Sequence, residues 1–360
     1  MNIKSIELKN YRNYKDSTIH FDKGTNILYG NNAQGKTNVL EAIFLCATSK
    51  SHRASRDKEI ILFGEEEARV SLSFEKSYEE INIDILIRNN KSKIAYVNEN
   101  KIKKATDLLG ILNVVLFSPE DLSIIKSGPS ERRRFVDIEL CQIDKIYLYN
   151  LSKYNKALDQ RNKLIKDIGN DSKLIDTLDV WDEQLSIYGQ EIIKRRRDFI
   201  NKLNEIIFEI HKKLTNEKEN IEIIYEPNTD EKNLSNNLKK NQFKDIKNKN
   251  TSVGPQRDDI SFLINGIDIR KYGSQGQQRT AALSLKLSEI EIIKLKTGHT
   301  PVLLLDDVLS ELDSDRQNYL LNTIGDIQTI ITCTGLDDFV NNNFKINKLI
   351  KVKKGTIIDS

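Results

Sequence analysis

Apolar and polar positions alternate along the first third of the chain in the manner of strands. Ile3 to Leu8 alternates, and Thr25 to Tyr29 is an apolar run that leads into a glycine-bearing segment. Arg69 to Phe74, Ile81 to Arg88 and Lys93 to Val97 are short β-patterned runs, with a turn at Asn98-Glu99-Asn100. Val114 to Phe117 is a further apolar run, stopped by Ser118-Pro119-Glu120-Asp121. A serine at the cap, a proline at the first position and acids in the first turn predict a helix start there.

From residue 119 to 214 the period changes to three and four. Leu178, Trp181, Leu185, Tyr188 and Ile192 form one stripe, which Phe199, Leu203, Ile206, Ile210 and Leu214 resume. Ile146, Tyr149, Tyr154, Leu158 and Ile165 mark a weaker stripe on 145–168. With Gly169-Asn170-Asp171-Ser172 between them, the two predict an antiparallel helical hairpin whose stripes are core. Residues 228–252 are polar and rich in Asn and Lys, and read as a mobile connection. Ile260 to Ile264, Asn265-Gly266 and Ile267 to Tyr272 predict a β-hairpin. Helix over Ala281 to Lys296, strand over Val302 to Leu305, helix over Asp313 to Ile324 and strand over Thr329 to Thr332 complete the pattern. It divides the chain at 1–117, 118–215 and 216–360.

Three segments carry chemistry. Gly30-Asn31-Asn32-Ala33-Gln34-Gly35-Lys36-Thr37 is a P-loop pattern, with a strand before it and the helical run Val39 to Ala47 after it. Its backbone N–H groups wrap phosphates, Lys36 reaches the β- and γ-phosphates, and the Thr37 hydroxyl meets Mg²⁺. Leu303-Leu304-Leu305-Asp306-Asp307 ends an apolar strand in two carboxylates. Asp306 is read as the Mg²⁺-holding acid and Asp307 as the group that orients or deprotonates water. Ser274-Gln275-Gly276-Gln277-Gln278 opens a helix and offers a hydroxyl, a bare backbone and a helix N-terminus to an anion. In this order, the three predict ATP held between two copies of the chain.

Composition narrows the picture. Lys plus Arg number 56 against 53 Asp plus Glu, so the net charge of +3 leaves nucleic-acid binding to local patches. Candidates are Arg132-Arg133-Arg134, Lys194-Arg195-Arg196-Arg197 and Lys101-Ile102-Lys103-Lys104. The three cysteines lack metal-type spacing and pairing, which points to a reducing, cytoplasmic setting. The opening residues lack the apolar core of a signal peptide, and no stretch approaches the roughly 20 apolar residues of a membrane span.

Together these motifs resemble the ATP-binding-cassette ATPases, with Ser310-Glu311-Leu312-Asp313 fitting the D-loop. Within that superfamily the chain is similar to the RecF family of bacterial recombination-mediator ATPases, over essentially its whole length. The resemblance rests on Leu8 to Tyr14, Gly30 to Glu41, Ser51-His52-Arg53, Phe117 to Leu122, Ser127 to Asp137, Gly254 to Asp259, Gly273 to Arg279 and Leu304 to Asp313. Gln256 departs from the usual His. Asp307 replaces the Glu common in cassette ATPases, as in RecF-like proteins, and its shorter arm implies slow turnover.

The resemblance implies an α/β fold. This is an ABC-type head of mixed sheet with flanking helices and an antiparallel β subdomain, carrying an inserted α-helical lobe. It implies ATP contacts at Arg12, Gly30, Asn31, Asn32, Ala33, Gln34, Gly35, Lys36, Thr37, Asn38, Ser274, Gln275, Gly276, Gln277 and Asp313, with Mg²⁺ at Thr37 and Asp306. It further implies weak ATP hydrolysis used as a switch, an ATP-dependent homodimer on duplex or junction DNA in the nucleoid, and work with RecR and RecO in loading RecA. The competing readings are a transporter-type ATPase subunit, which has a compact insert between the P-loop and the signature, and an SMC-type protein, which has a far longer coiled coil. A P-loop kinase lacks the signature segment.

Overall fold

Two six-stranded sheets form from the strand-patterned runs at the two ends of the chain. In the computed structural model, which describes residues 1–168, 172–335 and 345–358, they make one unit of residues 1–121 and 293–360. The first sheet is antiparallel, in the order Tyr14–His20, Asn2–Tyr11, Glu67–Lys76, Glu79–Arg88, Ile94–Val97 and Asn100–Lys101. In the second sheet, Lys348–Lys353, Thr25–Tyr29, Thr329–Cys333, Val302–Asp306 and Val114–Phe117 lie parallel in that order. Thr356–Ile358 closes one edge in the antiparallel sense. Thr25–Tyr29, Thr329–Cys333, Val302–Asp306 and the edge strand Val114–Phe117 are buried on both faces nearly throughout, as a covered parallel sheet requires.

The helix Lys36–Thr48 packs on strands of both sheets and buries every residue except Thr37 and Asn38. Its near-uniform apolar surface is the sequence signature of such a position. Because the strands run parallel, Tyr29, Asp306 and Cys333 end on one edge, where α/β sheets collect ligands.

Residues 122–292 make the second unit. It holds the helices Leu122–Lys126, Pro129–Ile143, Lys145–Ile168, Leu178–Leu214 and Leu234–Asn248. It also holds a three-stranded antiparallel sheet of Ile221–Glu226, Asp259–Ile264 and Ile267–Asp268, and most of the helix Gln275–Thr297. The sequence division at 215 therefore falls inside this unit, because the small sheet packs on the long helix Leu178–Leu214.

Several expectations change in physical detail. Residues 228–252 are not a mobile connection, since Leu234–Asn248 is a helix with Leu234 and Leu238 buried. The Asn265-Gly266 turn has both residues at positive φ, 50° and 79°, as a two-residue hairpin needs, but Ile269–Tyr272 turns into a helix rather than extending the strand.

The stripe on Lys145–Ile168 runs through Tyr147, Asn150, Tyr154, Ala157, Arg161 and Ile165, leaving Ile146 and Tyr149 exposed. An apolar-only reading misses it because Arg161 is buried against carboxylates. Over the 37 residues of the longest helix, the seven-residue series Leu178, Leu185, Ile192 and Phe199 gives way to Ile193, Ile200 and Ile207. A turn of 3.6 residues drifts against a seven-residue spacing, so Ile206 and Ile210 leave the centre of the buried face. The junction expected at Gly169-Asn170-Asp171 lies outside the described residues.

Candidate functional site

The P-loop is shaped from outside. Gly30 has φ 148°, and a Cβ there would lie 2.4 Å from the Val352 carbonyl oxygen. Gly35, at φ 113°, stands at the N-terminus of the helix that follows. The Gln34 carbonyl accepts from Asn13 Nδ2 at 2.9 Å and from the Gly355 N–H at 3.0 Å. The Gly35 carbonyl accepts from the Tyr14 hydroxyl at 3.0 Å. Lys354 N donates to Gln34 Oε1 at 2.8 Å, and Asn38 Nδ2 donates to Asn13 Oδ1 at 2.8 Å. With the Gln34 and Gly35 carbonyls held outward, the adjoining N–H groups can face an anion.

Lys36 Nζ donates to the carbonyls of Gly30 and Asn31, at 2.7 and 3.0 Å. Burial lowers its pKa, against the pull of Asp307, Cys333 and Asp306. A lysine held over the loop in this way has a partly desolvated charge that a phosphate would satisfy.

Thr37 Oγ1 donates to Asp306 Oδ1 at 2.8 Å, and Thr332 Oγ1 donates to the same oxygen at 2.7 Å. The register explains this meeting, since Thr332 lies opposite both Asp306 and Leu28 in neighbouring strands. Thr332 also accepts from the Asp307 N–H at 3.0 Å, and Asp307 has the left-handed φ of 55°. Thus Lys36, Thr37, Asp306 and Asp307 come together. A hydroxyl and carboxylates form the hard-oxygen donor set that suits Mg²⁺.

Arg12, itself at φ 54°, grips buried Glu41 with Nε to Oε2 at 2.8 Å and Nη2 to Oε1 at 2.6 Å. Ser51 donates to the same carboxylate. Burial alone would raise the Glu41 pKa, but the hydrogen bonds from Arg12 and Ser51 outweigh it and the pKa is lowered. His52 stands edge-on to Phe44, with burial lowering its pKa against the attraction of Glu41, Asp306 and Glu120. A cleft of about 700 Å³ opens beside Asn13 and Asn38, with Arg12, Arg53, Lys58 and Phe63 in its lining.

The signature segment belongs to the other unit. Ser274 and Gln277 form a reciprocal cap, Gln277 N to Ser274 Oγ at 3.1 Å and Ser274 N to Gln277 Oε1 at 2.9 Å. Gln277 Nε2 also donates to Glu219 at 2.9 Å. Ser274, Gln275 and Gly276 are exposed, and a Cβ at Gly276 would meet nothing nearer than Ser274 Oγ at 3.8 Å. Asp313 caps the helix Ser314–Thr323 through the Arg316 N–H at 3.0 Å.

In the two arginine clusters read as DNA contacts, Arg132 and Arg196 are buried and so do not face a ligand, while Arg133, Arg195 and Arg197 are half-buried and engaged within the protein. Arg132 is buried in a bidentate pair with Asp259, at 2.7 and 3.0 Å. Arg196 is buried among Asp258, Asp137 and Tyr147. Arg133 donates to the Asp258 carbonyl, Arg195 pairs with Asp144 and Glu191, and Arg197 pairs with Glu231. Arg134 and Lys194 remain exposed. Gln256, in the position of the departure noted above, accepts from the Tyr154 hydroxyl and donates to the Val253 carbonyl at 2.9 Å.

Sequence reasoning missed Glu41, Thr332, Val352 and Gly355 as parts of the site. Strand register reveals Thr332, close backbone approach reveals Val352 and Gly355, and the ion pair with Arg12 reveals Glu41. Glu41, Asn13 and Tyr14 lay in quoted motifs without an assigned role.

Residues 2–357 match the RecF/RecN/SMC N-terminal domain family. The chain is 58% identical to the DNA replication and repair protein RecF of Agathobacter rectalis, over 99% of each chain. It is 57% identical to that of Lachnospira eligens, over 100% of this chain and 99% of the other. Among solved structures, it resembles the recombination mediator protein RecF with ATP in the RecFOR pathway at TM-score 0.93 and 40% identity, covering 100% of this chain and 97% of that one. An SMC head bound to the C-terminal winged-helix domain of ScpA matches at TM-score 0.57 and 19% identity, covering 99% and 96%, and shares the fold.

Proposed function

The chain belongs to the RecF family, within the wider RecF/RecN/SMC N-terminal domain family, and we propose that it is an ATP-dependent DNA-binding protein of recombinational repair. The observation that carries this reading is the Thr37–Asp306 contact, which joins a P-loop to a strand-end carboxylate pair in a chain 58% identical to a RecF protein. The protein is an ATPase of the cassette and SMC-head type, and ATP is its nucleotide.

The residues divide the work. Lys36 and the loop N–H groups neutralise and orient the β- and γ-phosphates. Thr37 and Asp306 would hold Mg²⁺, which when bound supplies charge neutralisation between phosphates. Asp307 orients the attacking water or takes its proton. The exposed Ser274, Gln275 and Gly276 of one copy cover the nucleotide of another, with Asp313 alongside, so ATP makes the dimer. Hydrolysis is slow and releases it. The dimer binds duplex or gapped DNA in the nucleoid and, with RecR and RecO, promotes RecA loading. Among the described residues no helix is long and apolar enough to cross a membrane.

Sedimentation velocity with ATP, with DNA, with both and with neither tests the reading. The expected result is a monomer alone, a dimer with ATP and a dimer–DNA complex with both. A monomer under all four conditions overturns it.

A further inference from the structure

We propose that the outer face of the helix Leu234–Asn248 is a nucleic-acid contact surface, with its lysines on the phosphate backbone and Phe243 stacked on an unpaired base. The inference rests on the DNA-binding reading above and assigns it a surface.

Lys239, Lys240, Lys244 and Lys247 are exposed on this helix, and Lys249 follows at its left-handed cap. None of the five makes an ion pair among the described residues, in contrast to Arg132, Arg195, Arg196 and Arg197. Between Lys232 and Arg257 the one acidic residue is Asp245, and it is buried. A chain of net charge +3 thus concentrates cations on this segment, which carries no exposed acid of its own. Phe243 lies within the basic face and is 83% exposed. A bare aromatic ring among lysines suits stacking on a base beside a phosphate chain.

The face is rigidly presented. Asp245 accepts from Arg161 Nη1 at 2.8 Å and from the Ser252 hydroxyl at 2.6 Å. Gln242 Nε2 donates to the buried Asp182 at 2.8 Å and to the exposed Asp179 at 3.1 Å, which fixes one edge of the helix. Leu234 and Leu238 are buried, and Gly189 of the long helix admits Leu234, which would lie 2.6 Å from a Cβ there. Lys240, Lys244 and Lys247 span about 10 Å along the axis at 1.5 Å per residue. That length corresponds to about three base-pair steps along a duplex axis, at roughly 3.4 Å of axis per phosphate of one strand. An acidic protein surface would satisfy the lysines but gives no reason for the exposed ring.

The test uses the full chain and fluorescence anisotropy with a labelled duplex and a labelled duplex bearing a single-stranded gap, at several salt concentrations with ATP. Lys240→Glu with Lys244→Glu is expected to weaken both DNAs and to flatten the slope of log affinity against log salt by about 1 to 2. Phe243→Ala is expected to weaken the gapped DNA by roughly fivefold or more while sparing the intact duplex. Dimerisation with ATP should persist in both variants. Wild-type affinity and salt slope in both variants overturn the assignment of this helix. Absence of DNA binding by the wild type overturns the function reading and the surface with it.

Discussion

Thr37 and Asp306, separated by 269 positions in the chain, meet through a 2.8 Å hydrogen bond in which the threonine hydroxyl donates to the carboxylate. The bond ties the start of the P-loop helix to the end of a neighbouring strand. It sets the two groups expected to share a cation side by side.

Lys36→Ala should abolish ATP binding or hydrolysis, since it removes the cation held over the loop. Asp307→Asn should keep ATP binding and slow hydrolysis by about 10²-fold, the usual scale for loss of a positioned base. Filter binding with labelled ATP and phosphate release measure the two effects. An unchanged rate in Asp307→Asn would remove that carboxylate from the chemistry.

Ser274→Arg sets a bulky cation on the exposed signature face. The variant should remain a folded monomer that binds ATP but no longer dimerises with it. Sedimentation velocity decides this, and an ATP-dependent dimer in the variant would sink the sandwich arrangement.

Glu41→Gln should destabilise the protein by ~3 kcal/mol at neutral pH, because it leaves Arg12 without its buried partner. The pKa of Glu41 is lowered in the folded state. Its contribution is thus fully present above the ordinary carboxylate pKa and is lost as pH falls through the lower folded value. Denaturant unfolding of both proteins should show their difference shrinking as pH is taken down through that range. A difference that grows in acid contradicts the assignment.

Gly355→Ala tests the outer frame of the P-loop. A Cβ there would fall 2.0 Å from the Asn13 carbonyl oxygen, at a backbone φ of 71°. The hairpin turn must shift, and it carries the N–H groups that hold Gln34. ATP affinity should fall several-fold with a loss of about 1–2 kcal/mol in stability. Calorimetric titration and thermal melting report the two. Unaltered ATP affinity in a destabilised variant would show that the frame does not tune the loop.

Local signals reached the P-loop, the signature cap and the strand-end carboxylates, because each is written in consecutive residues. They also reached most strands of the parallel sheet, whose runs are apolar throughout. What they missed depends on partners far away in the chain. Arg161 and Arg196 look like surface charge in sequence, yet carboxylates from other elements let them stand in the core. The Leu234–Asn248 helix looked like a linker because only Leu234 and Leu238 of its apolar residues are fully buried, and beside the half-buried Ile246 its other anchors are polar. The frame around Gln34 has no sequence signature, since its donors come from both ends of the chain.

The left-handed backbone at residue 307 bears on which acid can stand there. Aspartate tolerates that conformation better than most side chains, because its short polar arm bonds locally. Glutamate, the longer acid common in cassette ATPases, has no such relief and would carry backbone strain of about 1 kcal/mol or more there. Aspartate is then the acid this turn favours, and an unstrained glutamate at 307 requires the turn after Asp306 to be rebuilt along with the side chain.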